Sequence, residues 1–171
     1  HFPNIIREFE DQQIEWNSLE ALATREDIDV LIVASTGLVS LKPVIEALKM
    51  GKKVALANKE SLVVGGQAVR NALATGQDLG AELLPIDSEH SAVWQCLWGE
   101  DDDAVKELIL TASGGAFRDY KPTELAGVTA EEALKHPTWM MGQKVTIDSA
   151  TLFNKGLEAV EARWLFNIPL E

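Results

Sequence analysis

The chain has 171 residues, a formal net charge of −12, 46% hydrophobic residues and a single cysteine. That length suits one ordinary domain, or a small domain joined to part of another. The acidity argues against a nucleic-acid partner, because phosphate neutralisation needs clustered Lys and Arg, and one cysteine excludes an internal disulfide. No apolar run is long enough to span a bilayer, and no basic segment followed by an apolar one opens the chain. The expectation is a soluble cytoplasmic protein without a membrane partner. Acidic Glu100-Asp101-Asp102-Asp103 reads as a solvated turn.

Leu19, Leu22 and Ala23 fall at helical spacing after Ser18, which suits an N-cap, and predict a helix over 19–25. The apolar run Asp29-Val30-Leu31-Ile32-Val33-Ala34 predicts a strand buried on both faces of a parallel sheet. An amphipathic helix from Leu38 to Met50 follows, stopped by Gly51. Val54 to Ala57 is a second buried strand, residues 65–75 a helix, and Ala81 to Pro85 a third strand. Strand, helix, strand, helix, strand predicts a doubly wound α/β unit.

Beyond residue 85 the rhythm changes. A helix over about 88–98 is expected, with Cys96 as a buried, inert thiol. A strand over Lys106–Ala112, a loop to Ala130, a short helix to Lys135 and a final helix over about 149–167 complete the reading. Trp16, Trp94, Trp98 and Trp164 read as core or interface residues. The expected division is an α/β part over 1–85 and an incomplete α+β domain over 86–171.

Ligands of doubly wound sheets gather beyond the carboxyl ends of the strands. That rule places Ser35-Thr36-Gly37, Asn58-Lys59-Glu60 and Asp87-Ser88-Glu89 along one rim. Asp87, Glu89 and the later Glu158 offer the hard oxygen ligands that Mg²⁺ or Mn²⁺ prefers. The competing reading makes all three solvated charges. Ser88, Ser113, His136, Ser149, Asn154 and Lys155 form a set suited to an anion. Ser149 is expected to precede a helix, where free N–H groups favour negative charge. Asn154 and Glu158 are four apart and Lys155 and Glu158 three apart, so one helix could reach both anion and cation. Alternatively, Ser149 only caps that helix and Lys155 only pairs with Glu158. His90 reads as a hydrogen-bonding scaffold, outside the metal set.

Five blocks carry a resemblance. They are Leu56-Ala57-Asn58-Lys59-Glu60-Ser61-Leu62-Val63, Asp87-Ser88-Glu89-His90, Ala112-Ser113-Gly114-Gly115-Ala116-Phe117-Arg118, His136-Pro137-Thr138-Trp139-Met140-Met141-Gly142, and Asp148 through Glu158. In this order the chain resembles the 1-deoxy-D-xylulose 5-phosphate reductoisomerase family. Ala112 and Ala116 depart from its common pattern, and the span between Glu89 and Ser113 is short.

The resemblance implies the later part of an NADP-binding, Rossmann-like sheet followed by an incomplete catalytic domain. It implies NADPH and a divalent metal, Mg²⁺ or Mn²⁺, as cofactors, a phosphorylated sugar as substrate and a homodimer as the intact form. It implies metal ligation by Asp87, Glu89 and Glu158, and substrate contacts from Lys59, Ser88, Glu89, Ser113, Trp139, Ser149, Asn154, Lys155 and Glu158. His136 and Trp139 are expected on a closing loop, and Asn58, Glu60 and Gly142 near the cofactor. Lys59, Asp87, Glu89, His136 and Glu158 are the expected catalytic set, with no evident general base. The family carries an N-terminal glycine turn and a helical C-terminal domain. Because no Gly-x-Gly-x-x-Gly occurs and the chain opens on His1, it reads as an internal fragment. Two rivals stand beside this: a non-catalytic relative that only binds metal or anion, and an oxidoreductase of a related sugar phosphate.

Overall fold

The computed structural model describes residues 18–101 and 104–168. Trp16 lies outside the described residues. Strands β1 (Val30–Val33), β2 (Lys53–Leu56) and β3 (Glu82–Pro85) form a parallel sheet in the order β1-β2-β3. The register pairs Val33 with Leu56 and Leu56 with Pro85, so all three strands end on one rim. Helices α1 (Leu19–Ala23), α2 (Leu41–Lys49) and α3 (Lys59–Gly76) provide the crossovers and their packing. Ser18 caps α1 through a bond to the Ala21 amide, as its sequence position predicted.

The core lies between the helices and one sheet face. Val33, Val54 and Leu56 meet Val44, Leu48, Leu62 and Val69 there, with Trp164 and Leu165 packed against the cluster. The opposite face of β1 is not covered by the described residues, because Val30 and Ile32 stand 47% and 70% exposed. The expected burial of β1 on both faces is therefore corrected. Its apolar run does not alternate, so the pattern alone could not mark the uncovered side.

After β3 the chain forms α4 (Ser88–Cys96), a 3₁₀ segment (Pro122–Gly127), α5 (Ala130–Ala133), α6 (Gln143–Ala150) and α7 (Phe153–Phe166). The expected strand over 106–112 is absent. A strand needs a neighbour for its backbone groups, and residues 105–109 instead line a cleft with Val93, Cys96 and Leu97 of α4. Cys96 consequently stands exposed, not buried. Trp98 is 75% exposed, with its ring tilted 35° against Trp94 at 5.1 Å between centroids. The expected final helix is two helices, divided at Leu152, whose φ of 60° lies in the left-handed region and ends the α6 geometry.

Helix α7 packs across α3. Gly66 makes this possible: a Cβ there would come within 2.2 Å of the Trp164 ring. Among the described residues no helix is long and apolar enough to cross a membrane.

Candidate functional site

Lys59 opens α3 immediately after β2, and Asp87 and Glu89 open α4 immediately after β3. The first turns of α7 bring Asn154, Lys155 and Glu158 to the same place. Lys59 Nζ lies 2.6 Å from Asp87 Oδ2 and 3.3 Å from Glu158 Oε1, and donates to Asn154 Oδ1 at 2.8 Å. Lys155 Nζ donates to Glu89 Oε1 at 2.9 Å and also contacts Glu158 Oε2. Ser88 Oγ donates to the other Glu89 oxygen at 2.6 Å.

Asp87, Glu89 and Glu158 each place a carboxylate oxygen within 4.8 Å of the others. Three carboxylates face two ammonium groups, which leaves net negative charge in a half-buried pocket. An all-oxygen donor set of this size fits a hard divalent cation. Burial pushes the Glu89 carboxyl up, but bonds from Ser88 and Lys155 outweigh it and hold its pKa at about 2. Glu89 is thus fully charged at neutral pH. Burial lowers the Lys59 pKa, yet the bonds and charges of Asp87 and Glu158 outweigh it and leave the group raised. Lys59 is a fixed cation, suited to stabilising negative oxygen rather than taking a proton.

Behind these ligands lies a buried pair that the sequence did not announce. His90 and Glu161 are both wholly buried. His90 Nε2 is 2.9 Å from the Glu158 carbonyl oxygen, an atom that only accepts, so Nε2 carries the hydrogen. His90 Nδ1 then faces Glu161 Oε2 at 3.6 Å and Asp87 Oδ2 at 3.9 Å. Burial first, then the charge of Asp87, pushes the Glu161 pKa up to about 8. His90 thus makes the kind of hydrogen bond expected of it, while Asp87, His90 and Glu161 also bring ligand atoms within 4.8 Å of one another. Glu161 sits one helical turn beyond Glu158, a spacing visible in the sequence, but nothing there marks it as buried.

The anion candidates gather beside the carboxylates. His136 Nδ1 accepts from the Thr138 and Trp139 amides at 3.2 and 2.9 Å. Its hydrogen therefore sits on Nε2, 2.9 Å from Ser113 Oγ, which lies 3.4 Å from Ser149 Oγ. Gly115, at φ +68°, lets the backbone press against α6, since a Cβ would fall 2.4 Å from the Ser149 carbonyl oxygen. Ser149 does not precede a helix as expected. It lies in the last turn of α6, where the dipole disfavours anions. The free N–H groups belong to the first turn of α7 instead, beside Asn154 and Lys155. These two line a small pocket with Ser113, Gly114 and Ser149.

A cleft of about 770 Å³ unites Lys59, Asp87, Ser88, Glu89, Ser113, Trp139, Ser149, Asn154 and Glu158. His136 borders it through its bond to Ser113, and Lys155 through its bond to Glu89. Met140, Met141 and Val145 also line the cleft; as apolar residues in a loop and a short helix they gave no chemical signal in the sequence. Trp139 is 62% exposed, in keeping with a loop position rather than a core one.

The expected cofactor contacts stand apart from this cleft. Asn58 is buried and caps α3 through its bond to the Ser61 amide, while its own amide bonds the Ser35 and Gly37 carbonyls at 2.8 Å. Its side chain is committed to the rim. Glu60 Oε1 pairs with Lys144 Nζ at 3.1 Å, which draws it toward Gly142, the N-cap of α6.

Fold and site together define a parallel α/β protein with a carboxylate cluster that could hold a cation and a hydroxyl-lined pocket beyond its strand ends. Residues 83–166 match the family model for the 1-deoxy-D-xylulose 5-phosphate reductoisomerase C-terminal domain, and residues 10–66 match that for 1-deoxy-D-xylulose 5-phosphate reductoisomerase. A protein of that name from Exiguobacterium sp. is 55% identical over 150 residues, covering 88% of this chain and 38% of the relative. One from Geobacillus kaustophilus is 57% identical over 143 residues, covering 84% of this chain and 37% of the relative. The solved enzyme from Zymomonas mobilis in complex with NADPH superposes with a TM-score of 0.81 at 41% identity, covering 99% of this chain and 44% of that one. A DOX-P reductoisomerase in complex with NADPH, fosmidomycin and magnesium gives a TM-score of 0.80 at 37% identity, covering 98% and 44%. The chain belongs to the 1-deoxy-D-xylulose 5-phosphate reductoisomerase family. It spans about 38% of the length of the curated relatives it matches.

Proposed function

We propose that this chain forms the metal- and substrate-handling part of an NADPH-dependent reductoisomerase. The reaction converts 1-deoxy-D-xylulose 5-phosphate to 2-C-methyl-D-erythritol 4-phosphate, in isoprenoid precursor synthesis. The observation that carries the reading is the convergence of Lys59, Asp87, Glu89 and Glu158 in one cleft with Ser113 and Ser149. The parts are 1–85 for the cofactor side and 86–171 for metal and substrate. The family match of 83–166 to a C-terminal domain supports this division.

Asp87, Glu89 and Glu158 hold a Mg²⁺ or Mn²⁺ ion, and Lys59 stabilises negative charge developing on substrate oxygen. Ser88, Ser113, His136, Ser149, Asn154 and Lys155 fix the phosphorylated end and so orient the reacting carbons. Trp139 and its loop exclude water from the cleft. Asn58, Glu60 and Gly142 border the cofactor, Asn58 through its backbone. When bound, the cation polarises the substrate's carbonyl and hydroxyl oxygens and NADPH supplies the hydride. A homodimer in the cytoplasm is the assembly this reading carries.

The test is turnover of 1-deoxy-D-xylulose 5-phosphate by the intact protein, followed as NADPH consumption and product mass. Turnover should require a divalent cation and collapse in Asp87→Asn. NADPH consumption that persists in excess chelator would overturn the reading.

A further inference from the structure

Glu161 takes no part in the proposed reaction, yet it is wholly buried and, among the described residues, both its carboxyl oxygens lack a hydrogen-bond partner. The same holds for His90 Nδ1, 3.6 Å away. Buried polar atoms left unpaired are costly and rare, so an apolar residue at either place would suit the fold better. The pair touches the site at two points. His90 Nε2 bonds the main-chain carbonyl of Glu158 at 2.9 Å, and His90 Nδ1 faces Asp87 Oδ2 at 3.9 Å. Phe166 stacks on the imidazole, with ring planes 5° apart, so tilt is restrained but rotation within the ring plane is not. Among the described residues two carboxylates face the Nδ1 edge of the ring, and Glu161 Oε2, at 3.6 Å, is the nearer.

The geometry points to Glu161 as a positioning residue that sets the His90 ring and, through it, the spacing of Asp87 and Glu158. Outer partners of this kind orient ligands, and losing one typically weakens metal affinity about 10- to 100-fold. The inference rests on the metal-site reading above. A glutamine at 161 offers an amide donor to His90 Nδ1, whereas a leucine fills the volume without one. The helix and the core should accept that leucine, because it breaks no hydrogen bond of Glu161 and removes an unpaired buried polar group.

The experiment compares Mn²⁺ affinity, read by electron paramagnetic resonance of the free ion, with the melting temperature of the metal-free protein. Wild type, Glu161→Leu, Glu161→Gln and Asp87→Asn are measured as intact proteins. Glu161→Leu should bind Mn²⁺ at least about tenfold more weakly while melting no lower than wild type, and Glu161→Gln should stay within about threefold of wild type. A Glu161→Leu protein with wild-type affinity overturns the inference, as does one that fails to fold, since the carboxyl would then serve the fold. A Glu161→Gln protein as weak as the leucine variant overturns it too. If Asp87→Asn leaves Mn²⁺ affinity unchanged, the metal-site reading itself falls, and the inference with it.

Discussion

Lys59 Nζ and Asp87 Oδ2 stand 2.6 Å apart across the ends of β2 and β3, so an ammonium group lies against the ligand cluster. A cation and Lys59 therefore compete for Asp87 and Glu158. Replacing Lys59 with methionine keeps the stem and removes the charge. Mn²⁺ should then bind several-fold more tightly, since the carboxylates lose their internal counter-charge. Turnover should fall by about 100-fold or more, the cost typical of losing one group that stabilises a developing oxyanion. Titration with Mn²⁺ and steady-state kinetics on the same variant check both halves; weaker binding would show that Lys59 supports the metal.

Glu158→Gln should leave the fold intact while weakening divalent cation binding and cutting turnover. Glu158 is only 1% exposed and meets Lys59 and Lys155, so the neutral amide removes the charge that both ammoniums face. A loss of metal affinity of at least about tenfold is expected, measured by calorimetry alongside far-UV circular dichroism.

Lys155→Ala separates two roles. Its ammonium is shared between Glu89 and Glu158, and the first turn of α7 also sets it beside the hydroxyl pocket. A charge-assisted bond to phosphate is worth about 1.5–3 kcal/mol, so KM for the phosphorylated substrate should rise roughly ten- to a hundredfold. A dephosphorylated analogue should be insensitive. Equal losses with both substrates would assign Lys155 to the carboxylates alone.

In metal-free protein, stability should fall as pH rises from about 4.5 to about 8. Glu161 has its pKa raised from 4.5 to about 8 in the folded state, so between those values the folded state binds the extra proton. Its stabilising proton is fully present below the unfolded pKa and is lost as pH rises through the folded one. Chemical denaturation in chelator across this range should show the decline, and Glu161→Gln should flatten it.

Gly115→Ala should cost about 1–3 kcal/mol from left-handed backbone alone, with the contact to the Ser149 carbonyl added. A lower melting temperature with a raised substrate KM is expected, because Ser113 and Ser149 flank the strained point.

The sheet, its helices and the rim were legible because long apolar runs and glycine stops mark them, and the rim rule then placed Lys59, Asp87 and Glu89. The meeting of Glu158 with Asp87 and Glu89 was legible through the family resemblance, since its spacing from Asn154 and Lys155 marked only a shared helix face. The break at Leu152 was not, since a leucine in the left-handed region has no compositional sign. That one residue moved Ser149 from a helix start to a helix end. The strand expected at 106–112 failed because strand propensity specifies a face, while a partner is specified only by the rest of the sheet. Cys96 failed for the related reason that helix α4 is covered by the described residues on fewer sides than its apolar content suggested.

The seating of Trp164 against Gly66 bears on motion. It fastens the far end of α7 to α3, and Arg70 adds a bond to the Trp164 carbonyl at 3.5 Å. The near ends of the same two helices carry Lys59 and Glu158. The two helices that wall the carboxylate site are thus held together by packing well away from it. Trp139, Met140 and Met141 line the same cleft and stand exposed, with the stretch before them held at Ser113 through His136.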